Sequence, residues 1–314
     1  MSWRTAERAR ALGVDLTEPG AHRVDRLRLF AGNRRSETLL PRAAFGLSRR
    51  RFDTAMRAAA FAAGAVFEHA HVKSVQGLTV KGPPHHIEAD ALFFASGKSD
   101  IRGHSRPRRA DDPAMGIRVR AASNPDLHAT LAGAIELHLF EGGYAGIVLQ
   151  EDGSANICLA LRKSVLKQHS NPSDLLERLA SNSAAFADRY RHVRADARFD
   201  AVAAVPYGYV ARGTDPGVFR VGDQAACIPS LAGEGMGLAL VSGMMAANCY
   251  LERGPAGAPL YQDRFARAAR RPVTAASALW HMSERPMGAR VMTQLAQWMP
   301  SSAALAMRVT RVAA

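Results

Sequence analysis

The stretch Gly222-Asp-Gln-Ala-Ala-Cys-Ile-Pro-Ser-Leu-Ala-Gly-Glu-Gly-Met-Gly-Leu-Ala239 decides the reading of this chain. It overlaps the end of Val218-Phe-Arg-Val-Gly-Asp223, which predicts a strand. It opens a run from about Gly235 to Leu251 that predicts a helix. An aspartate just past a strand end, Asp223, can accept hydrogen bonds from ligand hydroxyls. Pro229 stiffens the loop. Gly233, Gly235 and Gly237 let backbone approach a flat or charged ligand, and the helix start offers unpaired N–H groups and the positive end of the helix dipole. A glycine-rich turn that merely packs tightly is the plain alternative. The Asp, the Pro and the long following helix, each in its place, favour the ligand.

Working outward, residues 3–12 predict a short helix stopped at Gly13, and Val24 to Phe30 alternates apolar and polar as a half-buried strand does. Gly32-Asn33 reads as a turn and Glu37 to Leu40 as a returning strand. Phe52 to Ala63 predicts a helix. Ala65 to Val72 and Leu78 to Lys81 predict strands, and Asp90 to Gly97 a buried strand whose end meets something closely. From Met115 the texture changes. Ile117 to Arg120, Ile135 to Leu139, Tyr144 to Gln150 and Ala155 to Arg162 are strands at meander spacing, with Gly142-Gly143 and Glu151-Asp-Gly153 as hairpin turns. Pro172 to Tyr190 predicts one helix capped by Asn171 or Ser173, and Phe199 to Val205 a strand. Helices around 258–270, 273–284 and 288–311 complete a mixed α/β chain with an inserted antiparallel sheet.

Composition sets the bounds. The 314 residues are 47% hydrophobic and 22% charged, which excludes a mostly disordered chain. Three cysteines, Cys158, Cys227 and Cys249, are too few for a disulfide scaffold and lack metal-ligand spacing. The opening, Met-Ser-Trp-Arg-Thr-Ala-Glu, does not read as a signal peptide. No window reaches the roughly 18 apolar residues of a membrane span, so a cytoplasmic protein is expected. The formal charge is 41 − 28 = +13, yet only five of the basic residues are lysines, and the rest are scattered arginines. The tightest clusters, Arg49 to Arg51, Arg106 to Arg109 and Arg270-Arg271, are not interleaved with aromatics. No nucleic-acid partner is expected; an anionic small molecule explains the surface as well.

The residues Gly222-Asp223, Pro229, Gly233-x-Gly235-x-Gly237 and Ala239 resemble the second FAD-binding motif of the p-hydroxybenzoate hydroxylase-type flavoproteins. Gly46-Leu-Ser-Arg49 with Phe52-Asp53 is similar to a further element of that family, whose Arg reaches FAD. Asp90 to Gly97, with Ser99 and Arg102, resembles the strand that closes on the cofactor. Gly142 to Gly146 and Asp152 to Asn156 look most like the geranylgeranyl-reductase branch. The resemblance runs from about residue 3 to 265. It implies a Rossmann-like FAD/NAD(P)-binding domain over 1–23, 42–112 and 206–270, an inserted antiparallel substrate domain over 24–41 and 113–205, and C-terminal helices over 271–314. It implies Arg49, Val72, Ala95, Gly97, Gly222, Asp223, Pro229, Gly233, Gly235, Met236 and Gly237 as FAD contacts, and Tyr144, Pro206 and Tyr207 as the wall for an apolar substrate. The implied activity is an FAD-dependent oxidoreductase fed by NAD(P)H, reducing a double bond of an isoprenoid, polyketide or aromatic substrate or hydroxylating it.

One departure matters. Such flavoproteins begin with a strand–turn–helix carrying G-x-G-x-x-G and an acidic residue further on. The chain has no such segment; roughly 40 to 50 residues are expected ahead of it, enough for a βαβ unit of about 30. A start codon placed too late, or a true truncation, would account for this, and FAD binding by the chain as written is expected to be weak or absent. The other class of function is then a non-catalytic remnant of the fold that acts as a binding or partner protein. No residue is singled out as catalytic and no metal is expected: His85-His86 reads as a hairpin turn, and His104 and His138 as solvated or core histidines. Ser48 and Ser242 lack a nucleophile-elbow context. Cys158 and Cys227 read as buried thiols. The C-terminal run with Met292, Leu295, Trp298, Met299, Leu305 and Met307 is expected to pack onto the core, with peripheral membrane contact as the other reading.

Overall fold

A computed structural model describes residues 1–82, 86–107 and 110–312. By internal contacts it divides into two compact units. The first comprises Met1–Ala55, Ala110–Val205 and Ala278–Arg308, the second Met56–Arg109, Pro206–Ser277 and Val309–Ala314. Residues 1–23, expected with the cofactor-binding part, fall in the first unit.

The first unit is built on a seven-stranded sheet. Its strands are β1 (His22–Ala31), β2 (Arg34–Gly46), β7 (Ala114–Ala121), β8 (Gly133–Phe140), β9 (Gly143–Leu149), β10 (Ala155–Arg162) and β11 (Asp200–Val205), in the order β11-β7-β10-β9-β8-β1-β2. Hairpin turns at Gly142 and Gly153 link β8 to β9 and β9 to β10, as the turn chemistry predicts. The sheet is not wholly antiparallel. β1 and β8 pair in parallel, from Val24↔Gly133 to Ala31↔Leu139. Some hundred residues separate these strands, so no hairpin constrains their direction. At the far edge β11 carries a bulge between Val202 and Val205, where Ala204 takes the left-handed φ of 52°.

Alternation along the strands fills the core of this unit. Ile117, Val119, Ala145, Ile147, Leu149, Ile157 and Leu159 are at most 1% exposed. Each valine, leucine and isoleucine among them contributes about 1.5–3 kcal/mol by leaving water. Leu127 and Leu131 of α3 (Pro125–Leu131), Leu175 and Leu176 of α5 (Pro172–Asn182), and Phe186 of α6 (Ala184–Tyr190) cover one face. The helix expected over 172–190 is two helices. Ser183 is extended between them, and its hydroxyl accepts from the Phe186 N–H at 3.3 Å. That break turns Phe186 into the core. α1 (Trp3–Ala11), which packs on β2, and the short α4 (Lys163–Lys167) also belong here.

α9 (Pro286–Trp298) packs on β2 and β1, and α10 (Pro300–Val309) follows. The packing is carried by small residues: Ala289, Thr293, Ala296 and Ala303 are buried. Leu295, Trp298, Met299 and Leu305, expected against the core, are 42%, 72%, 56% and 58% exposed. Helix axes come close only where side chains are short, which turns the large ones outward. Arg162 ties this end to the sheet through two 2.7 Å hydrogen bonds to the Glu284 carboxylate.

The second unit holds the parallel pair β6 (Leu92–Phe94) and β12 (Val218–Arg220), and an antiparallel trio, β3 (Ser74–Gln76), β4 (Thr79–Lys81) and β5 (His86–Glu88). α2 (Arg49–Ala62) begins in the first unit and ends in this one. The core of the second unit packs Phe219, Val221 and Ile228 against α7 (Gly235–Arg253) and α8 (Ala258–Ser283), with Tyr261, Phe265 and Ala269 fully buried. α8 is continuous where two helices were expected. Pro272 lies inside it, and the buried Ala269, Val273 and Ala276 on either side offset the loss of about 3 kcal/mol that an interior proline brings. The strand expected over 65–72 does not form. Residues 61–73 are exposed throughout, and a strand needs a partner for its peptide groups. His85 and Arg108-Arg109 lie outside the described residues, and no helix among the described residues is long and apolar enough to cross a membrane.

Candidate functional site

The strand end and helix start singled out by the sequence are built as expected and are fastened together in an unexpected way. β12 ends at Arg220, and Gly222 to Gln224 form a single 3-10 turn. Gly222 takes φ 58°, and a Cβ there would already lie 3.4 Å from Ala239 Cβ on α7. Glycine therefore serves both the left-handed turn and the close strand–helix packing. The Gly222 N–H donates to the Ser242 hydroxyl at 2.7 Å. Ser242 is thus a buried fastener of the motif, not a nucleophile.

Asp223 stands at the exit of this turn. Its carboxylate is about one-fifth exposed and accepts from Lys98 Nζ at 3.3 Å. Lys98 belongs to the loop after β6, which Arg106 and Gln224 hold against the turn. Arg106 is nearly buried. Its Nε donates to Asp100 Oδ1 at 2.7 Å, Nη1 to the Asp223 carbonyl at 2.9 Å and Nη2 to the Lys98 carbonyl at 2.6 Å. Gln224 Nε2 donates to the carbonyls of Gly97 and Ser99 at 3.0 and 2.8 Å. One guanidinium and one amide thus join two loops more than a hundred residues apart in sequence. Sequence reasoning missed both: Arg106 looked like one member of a basic cluster, and nothing in its spacing signals burial.

Pro229 is buried, and Gly233 closes the next turn at φ 64°. α7 then starts at Gly235 with no side-chain cap. Glu234 sits at the cap position, but its buried carboxylate turns away to accept from Arg311 Nε at 3.1 Å. The first-turn N–H groups of Gly235, Met236 and Gly237 precede the first helical bond, from the Leu238 N–H to the Glu234 carbonyl. A Cβ built at Gly97, Gly233 or Gly235 meets nothing within 4 Å. An open, uncapped helix start beside a partly exposed aspartate can take an electron-rich or anionic edge and a hydroxylated chain. Beneath it, burial, the Asp223 charge and a hydrogen bond to Asp223 push the Cys227 thiol up to about 12, so this cysteine is not a nucleophile.

The other expected contacts are distributed as follows. Ala95 is exposed on the Gly97 loop, and Val72 lies in the exposed segment 61–73. Pro206 and Tyr207 are half-buried in the second unit, the Tyr207 hydroxyl 2.7 Å from Ser230 Oγ. In the first unit Tyr144 is buried edge-on against Trp280, centroids 5.9 Å apart. Arg49 pairs with Asp53 at 3.1–3.2 Å on an exposed surface. Its neighbour Ser48 does more than expected: its hydroxyl accepts from the Arg51 N–H and donates to Glu151 Oε1 at 2.6 Å, while its own N–H donates to Glu151 Oε2 at 2.9 Å. Burial alone would raise the Glu151 carboxyl; these Ser48 bonds hold it below the usual range.

The sequence matches no known family model and no curated protein. Solved structures do match. The flavin-dependent brominase Bmp2 is 15% identical over 99% of this chain and 82% of its own, at a TM-score of 0.76. PqsL, a probable FAD-dependent monooxygenase from Pseudomonas aeruginosa, is 16% identical over 93% of this chain and 88% of its own, at 0.64. The peptidyl tryptophan dihydroxylase QhpG is 21% identical over 94% of this chain and 69% of its own, at 0.67. At such identities the likeness is one of fold: the chain has the mixed α/β fold of FAD-dependent monooxygenases and halogenases.

Proposed function

We propose that the chain binds FAD at the Asp223–Gly235 site and serves FAD-dependent oxidation of an apolar small molecule, with NAD(P)H as the electron donor. The observation that carries this is the Arg106-fastened pair of loops that sets Asp223 beside an uncapped, glycine-open helix start. The residues present suit the ribitol and ring end of the cofactor. Asp223 would accept from the ribitol hydroxyls, sharing or surrendering Lys98. The N–H groups of Gly235, Met236 and Gly237 would donate to the electron-rich edge of the ring. Bound FAD supplies two-electron redox chemistry; the chain supplies position and polarity.

The fold neighbours bear on the kind of oxidation. Those described above are a brominase, a monooxygenase and a dihydroxylase, which favours an oxygen-using reaction over double-bond reduction. The geranylgeranyl-reductase-like branch rests on Gly142 to Gly146 and Asp152 to Asn156, which fold as strand and hairpin-turn residues of the large sheet. Steady-state oxygen uptake with NAD(P)H and added FAD separates the two: uptake with an oxygenated product supports the first, alkene reduction without net uptake the second.

A second reading, a non-catalytic binding protein of this fold, draws on one observation. Among the described residues β6 pairs with β12 alone, and Phe93 at its centre is 42% exposed; Val66 and Phe67 of the same unit are 93% and 51% exposed. Parallel strands are ordinarily covered on both faces. Fluorescence titration with FAD decides. Saturable binding in the micromolar range that weakens in Asp223→Ala supports the enzyme. No saturable binding up to millimolar FAD supports the binding protein.

A further inference from the structure

The outer side of the C-terminal helices carries an apolar stripe that the fold leaves uncovered. Met287, Val291, Leu295 and Trp298 of α9 are 75%, 42%, 42% and 72% exposed. They stand at i, i+4, i+8 and i+11, which is one face of a helix. The opposite face, with Ala289, Thr293 and Ala296, is buried. Ala296 shares a cluster with Ala303 of α10 and Leu29 of β1. Both helices therefore pack on the same face of the sheet and turn their far sides outward together. Met299 at the corner between them and Leu305 on α10 extend the stripe. A helix on a globular protein ordinarily turns its large apolar residues inward; α9 buries its small ones and presents the large ones to water. Single exposed apolar residues are ordinary, but a run of them along one face marks an interaction site.

The charge around the stripe says what would cover it. From Arg285 to Ala314 the sequence has no Asp or Glu. Arg285 at the start of α9, Arg290 on its second turn and Arg308 on α10 are exposed, and none of the three makes an ion pair among the described residues. The acid just before them, Glu284, is taken by Arg162. Arg290 follows Met287 by three positions and Arg308 follows Leu305 by three, so each flanks the apolar face on its own helix. An apolar strip with a basic rim free of acids is the complement of anionic lipid. Aliphatic side chains enter the acyl boundary, a tryptophan ring sits at headgroup level, and arginine stems carry their charge to the phosphates. A second copy of the chain fits less well: an isologous contact across this face would bring the same arginines together with no acid to meet them. A partner helix would need a groove to lie in, whereas Met287 and Trp298, about three-quarters exposed, project outward.

We propose that the outer side of α9 and α10 docks on the surface of an anionic lipid bilayer, with the apolar stripe at the acyl boundary and Arg290 and Arg308 among the headgroups. The contact is peripheral, since no helix among the described residues is long and apolar enough to cross. It does not depend on FAD, so its test uses the full flavin-free chain. The chain is sedimented with vesicles of phosphatidylcholine alone and of equal parts phosphatidylcholine and phosphatidylglycerol. Binding to the anionic vesicles is expected to saturate and to be at least about tenfold tighter than to phosphatidylcholine. Leu295→Ser combined with Trp298→Ser, both at exposed positions, is expected to weaken it at least about tenfold. Arg290→Glu combined with Arg308→Glu is expected to remove the preference for anionic lipid and tests the same face without touching the stripe. Tryptophan emission is expected to shift to the blue on anionic vesicles as Trp298 leaves water. Trp298→Phe, which keeps an apolar ring, is expected to bind without that shift, because Trp280 is already buried. No binding to anionic vesicles, equal binding to both kinds, binding that survives the serine pair, an anionic preference that survives the glutamate pair, or a blue shift that survives Trp298→Phe overturns the proposal. A lipid-free dimer that the serine pair dissolves, without vesicle binding, also overturns it and assigns the face to a second copy.

Discussion

Two carboxylates show how differently the two units use charge. Glu136 in the first unit is fully buried, and two arginines and a histidine donate to it from 2.9 to 3.2 Å. Asp223 in the second unit is partly exposed; one lysine reaches it at 3.3 Å, and the weak thiol donor of Cys227 also bonds to it. The first carboxylate has its partners inside the fold, so removing it leaves buried cations behind. The second has acceptor capacity that the protein does not fill. Arg106 spends its donors on the Asp223 carbonyl and the neighbouring loop and leaves the carboxylate itself for something else. A satisfied buried charge marks architecture; a positioned, under-used one at a helix start marks a place for a ligand.

The contrast can be broken at several points. The largest effect is expected from Glu136→Ala, which strips Arg189 of its buried partner and is predicted to lower stability by about 3–5 kcal/mol in chemical denaturation. A loss under about 1 kcal/mol would mean that the cluster is not structural. Acid gives nearly as large a change without mutation. The folded Glu136 carboxyl lies near 2, below its ordinary 4.5, so its contribution is complete above about pH 4.5 and is lost as pH falls toward 2. The difference, 4.5 − 2, corresponds to about 3 kcal/mol. Glu136→Gln should flatten that part of the pH–stability curve; an unchanged curve assigns the acid sensitivity elsewhere. Arg106→Ala, which removes three charge-assisted hydrogen bonds at a nearly buried site, should cost about 2–3 kcal/mol and weaken FAD binding together with it. Stability lost with FAD affinity intact would separate the loop clamp from the cofactor.

How much of this the sequence disclosed follows the range of the interactions. The Gly222–Ala239 turn, the hairpins at Gly142 and Gly153, and the Asn171 cap of α5 are local, and each is legible from residue type and spacing. The Glu136–Arg189 pair spans 53 positions and the Arg106–Asp223 bond 117, so neither leaves a periodic trace. The failed strand over 65–72 has strand-favouring residues, Val66, Phe67 and Val72, but no partner, and composition alone cannot supply one. The C-terminal helices mislead for a related reason. Their hydrophobic residues were visible, but which face the short alanines would bring against the sheet depended on the packing.

The smallest change in stability belongs to Asp223→Ala, and the same variant should show the largest selective change in function. FAD fluorescence titration of the wild type and of Asp223→Ala, each with its melting temperature measured in the same buffer, tests the account most directly. The expected result is FAD affinity at least about tenfold weaker in the variant, with stability within about 1 kcal/mol of the wild type. Equal affinity in the two proteins would contradict the assignment of Asp223, and with it the placement of the cofactor at the start of α7.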